Sequence, residues 1–271
     1  MLPPMRMIAT DLDSTLLPKS KVITPYTLNV LEQLHERGLK VAIATGRPWR
    51  SVQKFLEQFP FDAVICHNGA IINIDGVVVE KNVISKEVLQ KEVTLLLDAF
   101  ETIKLLIECE DIMYVNFDPS SMGWSRDGDH HSDFRQLEME YAEKMMIVFD
   151  EQVTIEACQA LLLPELYMDV SIDKRVGMIM SQQARKHYAV AYLARHYGID
   201  MQAVAAFGDD VNDLGMVRDC GYGVAMVNGL QEVQQVAHAI APNNEEDGVA
   251  RWLCEHFQLE VQSEAEDATQ S

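Results

Sequence analysis

The chain has 271 residues, 48% of them apolar, with a formal net charge of −20 and a pI near 4.7. That is enough apolar material for one large α/β domain, or for a core with a smaller second domain, and it excludes a disordered chain. The acidic field repels phosphate backbones, and the lysines and arginines are scattered, so a nucleic-acid groove is excluded and an anionic small substrate would need a metal or a few focused cations.

Met7–Thr10 is short and apolar, as a buried parallel strand is. Leu28, Leu31 and Leu34 then repeat at helical spacing between Ile23 and Gly38, with Thr24 as cap and Pro25 as first residue. A strand at Leu39–Ala44, a helix at Trp49–Phe59 and a strand at Ala63–Cys66 continue an alternation that describes a parallel sheet. Ile71–Val79 reads as a hairpin turning at Asp75-Gly76.

A helix at Ser85–Ala99 follows, then strands at Lys104–Cys109, Ile112–Phe117 and Lys144–Phe149, a helix at Gln152–Leu163, and strands at Leu166–Ile172 and Val176–Met180. This hairpin-rich stretch implies an α+β domain over residues 83–183, inserted into a doubly wound, Rossmann-like α/β core formed by 1–82 and 184–260. The alternation returns with helix Lys186–His196, strand Ala203–Phe207, helix Asp213–Arg218, strand Gly223–Met226 and helix Leu230–Val236. A last strand at Ala239–Ile240 and a helix at Gly248–His256 close it, and 261–271 reads as an acidic, disordered tail.

Five cysteines, Cys66, Cys109, Cys158, Cys220 and Cys254, lie far apart without a CxxC pair, as reduced thiols of a cytoplasmic protein do. The apolar stretch after Arg6 is too short for a signal peptide, and no window is long enough to span a membrane. Monomer and homodimer are both compatible with the chain.

Three strand ends carry chemistry. DLDSTLL (Asp11–Leu17) places two acids where open α/β sheets bind ligands, and two acids two residues apart can share a hard cation such as magnesium. A carboxylate beside such a cation stays ionised and can attack phosphorus, although acids after a strand also cap helices or line turns. ATGRP (Ala44–Pro48) offers the Thr45 hydroxyl and the Gly46 amide to a phosphate oxygen, or simply ends a strand and starts a helix. GDDVND (Gly208–Asp213) brings three aspartates and an asparagine, more acid than helix capping requires. If its strand neighbours the first, the two clusters complete an oxygen-rich site, since packed carboxylates are costly without a cation. Lys186 opens the helix that re-enters the core and could offset phosphate charge, or be an ordinary surface lysine.

In these motifs the chain resembles the haloacid dehalogenase superfamily, specifically its Cof-type phosphatases with a large α/β cap. DLDSTLL, ATGR, Lys186 in KHYAVAYL and GDDVND stand in the order of the family's four motifs, and GVAMVN (to Asn228) and NNEEDGVA echo it further on. The resemblance implies a magnesium-dependent phosphatase acting on phosphorylated sugars or cofactor-like phosphates through an aspartyl-phosphate. It implies Asp11 as nucleophile, Asp13 as acid/base, and Asp11, Asp13 (through its backbone carbonyl) and Asp209 as metal ligands supported by Asp213. Thr45, Gly46, Lys186 and Asn212 match phosphate-contacting positions. A phosphomutase using the same intermediate, or a magnesium-binding receiver module, are the competing readings.

Two positions depart from the pattern. Ser14 stands where glycine is usual, and fits if the backbone there avoids positive φ. His187 replaces the glycine that commonly follows the motif lysine, which bears on how Lys186 is placed. In the cap, the loop 118–133 is chemically varied: Trp124 could stack on a ring, Arg126 could pair with an anion, and His130 and His131 read as surface rather than as metal ligands.

Overall fold

The computed structural model describes residues 3–122, 130–171 and 173–261. In the first part of the chain lie β1 (Met7–Thr10), α1 (Pro25–Glu36), β2 (Lys40–Ala44), α2 (Gln53–Leu56), β3 (Ala63–Cys66), β4 (Ile71–Ile74) and β5 (Val77–Lys81). The middle contains β6 (Ile84–Ser85), α3 (Lys86–Ala99), β7 (Lys104–Cys109), β8 (Ile112–Val115), β9 (His130–His131) and β10 (Tyr141–Ala142). It continues through β11 (Lys144–Val148), α4 (Ile155–Leu161), β12 (Leu166–Val170) and β13 (Val176–Ser181). The chain then returns with α5 (Lys186–His196), β14 (Val204–Gly208), α6 (Leu214–Asp219), β15 (Tyr222–Met226), α7 (Gln231–Val236), β16 (Ala239–Ala241) and α8 (Gly248–Phe257).

The core is an eight-stranded sheet in the order β16-β15-β14-β1-β2-β3-β4-β5, parallel through β3 and closed by the antiparallel pair β4 and β5. Strand order reverses at β1, whose neighbours are β14 and β2. This is the switch point at which such sheets open a crevice beyond the carboxyl ends of their strands.

Side-chain alternation sorts the two faces. Ile8, Val41, Ile43 and Phe207 pack with residues of α1 and α8, whereas Met7, Ala9, Ala42 and Ala206 pack under α5, α6 and α7. Thr24 caps α1 by accepting the Thr27 amide, and Pro25 takes its first position. Asp75 and Gly76, at φ of +51° and +77°, form the tight turn of the β4–β5 hairpin.

The middle segment folds as a second sheet in the order β12-β13-β11-β7-β8-β9, with α3 and α4 packed on one face, and a small β6–β10 pair beside it. Every pairing in the larger sheet is antiparallel except β8 with β9. The molecule is therefore a Rossmann-like α/β core with an α+β cap.

Several elements are shorter than their sequence patterns imply. The helix expected over Trp49–Phe59 is a 3-10 turn at Trp49–Ser51 followed by the four-residue α2. Pro48 gives it no side-chain cap, and burial of Val52, Phe55 and Phe59 holds a compact turn rather than a long helix. The helix expected over Gln152–Leu163 starts only at Ile155, because Thr154 caps it. Val261, assigned to the tail, packs partly against the core. Of the loop 118–133, Trp124 and Arg126 lie outside the described residues, while His130 and His131 are exposed.

Candidate active site

The three strand ends meet. Asp11 follows β1, Thr45 and Arg47 follow β2, and Asp209 and Asp213 follow β14; together with Asp13, Gly46 and Asn212 they line one cavity of about 490 Å³ between the core and the cap sheet. Asp11 is held there because its amide prolongs the ladder to the Phe207 carbonyl at 3.0 Å. Asp11, Asp209 and Asp213 each present a carboxylate oxygen, these atoms lying within 4.8 Å of one another.

Lys186 sits in the middle of this acid. Its ammonium, fully buried, donates to Asp11 Oδ1 at 2.7 Å and to Asp213 Oδ1 at 2.6 Å. His187 does not disturb it: the imidazole packs where a Cβ on Gly215 would stand, 2.4 Å from Nδ1, so α6 gives way for it. Asp213 has two functions. Its Oδ2 accepts the amides of Asp209 at 2.9 Å and Asp210 at 3.2 Å, closing a capping box, while Oδ1 takes Lys186. Capping and charge pairing are thus the same residue's work. Gly208 makes this possible, since a Cβ there would stand 2.3 Å from Asp213 Cβ.

Carboxylates outnumber the one buried ammonium at this site. Burial pushes the Asp11 carboxyl well above the usual range; Lys186 opposes the rise, and Asp213 and Asp209 add to it. Asp209 is raised to about 6 by burial and by Asp213, against the Thr15 hydroxyl that donates to its Oδ1 at 2.7 Å. Burial would discharge Lys186, but Asp11 and Asp213 overcome it and keep the ammonium charged. One lysine shared between two carboxylates leaves net negative charge at the sheet edge.

Asp13 stands apart from that cluster. Its carboxylate takes a two-pronged contact from Arg47, Nε and Nη2 each at 2.6 Å, and another from Lys21 at 2.6 Å. Burial alone would raise this group, but Arg47 and Lys21 hold it down at about 2. Asn212 donates to Asn68 Oδ1 at 2.9 Å, and the Thr45 hydroxyl accepts the Arg47 amide at 3.2 Å. Thr15, Lys21, Arg47 and Asn68 were absent from the candidates read off the sequence. Arg47 lies inside ATGRP and could have been singled out; nothing in the spacing marks Lys21 or Asn68.

Ser14 corrects an expectation. Its φ is +62°, in the left-handed region that glycine usually fills, and the Asn228 amide donates to its carbonyl at 2.8 Å. Ser14→Gly should therefore stabilise the protein by about 0.5–1 kcal/mol, the relief of left-handed strain outweighing the extra freedom of the unfolded chain. A higher denaturant midpoint with an unchanged m-value is the expected result.

The family model of haloacid dehalogenase-like hydrolases matches residues 8–253. The 5-amino-6-(5-phospho-D-ribitylamino)uracil phosphatase YitU of Bacillus subtilis is 29% identical over 267 residues, covering 93% of this chain and 98% of that protein. The pyridoxal phosphate phosphatase YbhA of Escherichia coli is 25% identical, covering 93% and 98%. A phosphatase of the same superfamily from Bacteroides thetaiotaomicron superposes with a TM-score of 0.82 at 24% identity, over 95% of this chain and 98% of that one. With its motifs assembled at the switch point and the family model spanning nearly all of its described residues, this chain belongs to the haloacid dehalogenase-like hydrolases.

Proposed function

We propose that the protein is a magnesium-dependent phosphatase that hydrolyses small phosphorylated metabolites, sugar phosphates or cofactor-like phosphates, by way of a phosphoryl group carried on Asp11. The observation that carries this reading is the convergence of Asp11, Asp209 and Asp213 around one buried lysine, beneath a cap, in a cavity of metabolite size. Relatives that act on a ribitylaminouracil phosphate and on pyridoxal phosphate support the substrate class.

The donor set suits magnesium: it is all oxygen, hard and short of positive charge. Asp11, Asp209 and the Asp13 carbonyl would hold the ion, with Asp213 in support because both its oxygens already have partners. Bound there, magnesium would neutralise phosphate charge and so favour attack by an anion.

An Asp11 oxygen attacks phosphorus in line as the bond from phosphorus to the leaving oxygen breaks, and Asp13 supplies the leaving oxygen's proton. Water then attacks phosphorus while Asp13 takes its proton; the bond to Asp11 breaks and the carboxylate is restored. Asp13 starts as a carboxylate clamped by Arg47 and Lys21, a state suited to the second step. An arriving phosphate dianion competes for these cations, so the Asp13 carboxyl rises and takes a proton from solvent before the first step; it gives that proton to the leaving oxygen and regains one from the attacking water. Thr45, Gly46, Asn212 and Lys186 surround the position the phosphate takes, and the cap excludes bulk water during the transfer.

Phosphate release from a panel of phosphorylated metabolites, with magnesium and then with EDTA, tests the reading. Magnesium-dependent release supports it; no release from any ester sinks it, and isomer formation on hexose phosphates without release would make the protein a phosphomutase.

Magnesium should also stabilise the fold in a pH-dependent way. Asp209, raised to about 6, binds its proton more tightly folded than unfolded, so its contribution is full below the unfolded value and lost as pH rises through about 6. Magnesium replaces that proton. The gain in Tm should therefore be larger at about pH 7.5 than at about pH 5, approaching the equivalent of about 2.7 kcal/mol at a hundredfold excess over Kd. Equal gains at both pH values would remove Asp209 from the metal site.

Among the described residues no helix is long and apolar enough to cross a membrane. The unpaired cysteines, four of them buried, fit the cytoplasmic setting we assign.

A further inference from the structure

We infer that the leaving group this enzyme accepts is a flat heteroaromatic ring rather than a polyhydroxylated sugar. The inference rests on the phosphatase reading above and narrows it.

The carboxyl ends of β1, β2 and β14 form the floor of the cavity and hold the phosphate chemistry; its ceiling is the cap sheet. Strand register decides what that ceiling presents. Met146 on β11 lies opposite Met178 on β13 and opposite Leu106 on β7, so the three form the middle of one row, which ends on Asp169 of β12 and Val115 of β8. The adjacent row on the same face runs from Lys144 to Glu108 and on to Met113. The alternating residues, Leu105, Ile107, Met145, Ile147 and Ile179, point the other way and are buried beneath α3 and α4. The open face of the cap therefore shows the cavity three methionines and a leucine, with one basic and one acidic residue at its edge.

The two charged residues are already tied to the core. Arg50 takes both oxygens of Glu108, each at 2.8 Å, and Lys144 donates to the Gly46 carbonyl at 3.2 Å. They dock the cap onto the loops after β2 and hold the apolar row above the phosphate position. Among the described residues, what the cap presents to the cavity between these two anchors is mostly thioether and alkyl carbon.

That chemistry discriminates between leaving groups. A hexose turns several hydroxyls toward the ceiling, and each hydroxyl covered by carbon loses water without gaining a partner. A heteroaromatic ring buries an apolar face instead, and the polarisable sulfurs of Met146 and Met178 make favourable contacts with such a ring. Met146 and Met178 are also the two row members that keep partial exposure, as residues that touch a ligand do, whereas Leu106 is fully buried behind them.

The test compares kcat/KM of the full chain with magnesium on pyridoxal 5′-phosphate and pyridoxine 5′-phosphate against glucose 6-phosphate and fructose 6-phosphate. Acetyl phosphate, whose leaving group is too small to reach the ceiling, reports the phosphoryl chemistry alone. The expected result is a preference of about tenfold or more for the ring-bearing esters, expressed in KM. Met146→Gln and Met178→Gln, close in volume to the native side chains, should each lower that ratio severalfold; being a ratio within one variant, it is insensitive to loss of folded protein. Hydrolysis of acetyl phosphate with hexose phosphates preferred, with neither class accepted, or with a ratio that both glutamine variants leave unchanged, overturns the inference and leaves the phosphatase reading standing. Failure to hydrolyse acetyl phosphate or any ester overturns both.

Discussion

Asp11→Asn is expected to reduce magnesium-dependent phosphate release by about 10⁴-fold or more while the protein stays folded. An amide oxygen is a poor nucleophile toward phosphorus and carries no charge to share with a cation. The fold should tolerate the change because Lys186 keeps its pairing with Asp213 at 2.6 Å, and because a carboxylate that burial and neighbouring acids disfavour has been neutralised. Phosphate release and a thermal melt on the same preparation separate the two effects. Activity within tenfold of the unmodified protein would remove Asp11 from the reaction.

Lys186→Ala carries the largest expected cost in stability. The lysine is fully buried, and its loss leaves Asp11 and Asp213 facing each other and Asp209 with no cation at all. Breaking a buried charge pair from one side costs roughly 3–5 kcal/mol, here with the cavity of a long side chain added. Lys186→Met separates the contributions, since it keeps most of the volume and loses only the charge. Both variants should melt well below the unmodified protein at neutral pH. The deficit should shrink as pH falls and Asp11 and Asp209 take up protons, because groups whose folded pKa is raised lose stability as pH rises. A Lys186→Met protein as stable as the parent at neutral pH would mean that the pairing contributes nothing. Magnesium should restore part of the loss, as a cation in place of the missing ammonium.

Much of this was legible in the chain. Short apolar runs ending in acid placed Asp11, Asp13, Asp209 and Asp213 at strand ends, and the structure gathers the carboxylates of Asp11, Asp209 and Asp213 because β1 and β14 pair directly. Thr45 and Gly46 arrive on β2, the other neighbour of β1, and Lys186 reaches Asp11 from the first turn of α5. What spacing could not convey is which long side chain answers which acid. Arg47 and Lys21 reach Asp13 from two loops, and that choice depends on three-dimensional reach. The positive φ of Ser14 could not be read from serine itself, which favours no such conformation; only the glycine usual at that position pointed to it. The cap ceiling was hidden for a different reason. Leu106, Met146 and Met178 are far apart in sequence and share a face only through the register of β7, β11 and β13, which no local pattern reports.

The different roles we propose for Asp11 and Asp13 rest on surroundings that differ. Asp11 is buried beside a lysine it must share, whereas Asp13 is partly exposed and answered by two cations of its own. In the proposed reaction the first would supply the attacking anion once a cation offsets its neighbouring acids, and the second would serve as the base for water. Trapping the covalent intermediate tests this division most directly. A reaction quenched during steady turnover, reduced with borohydride and mapped by peptide mass spectrometry should show homoserine in place of Asp11, dependent on substrate and magnesium. Phosphate release with no homoserine at Asp11, or with the modification on another carboxylate, would contradict it.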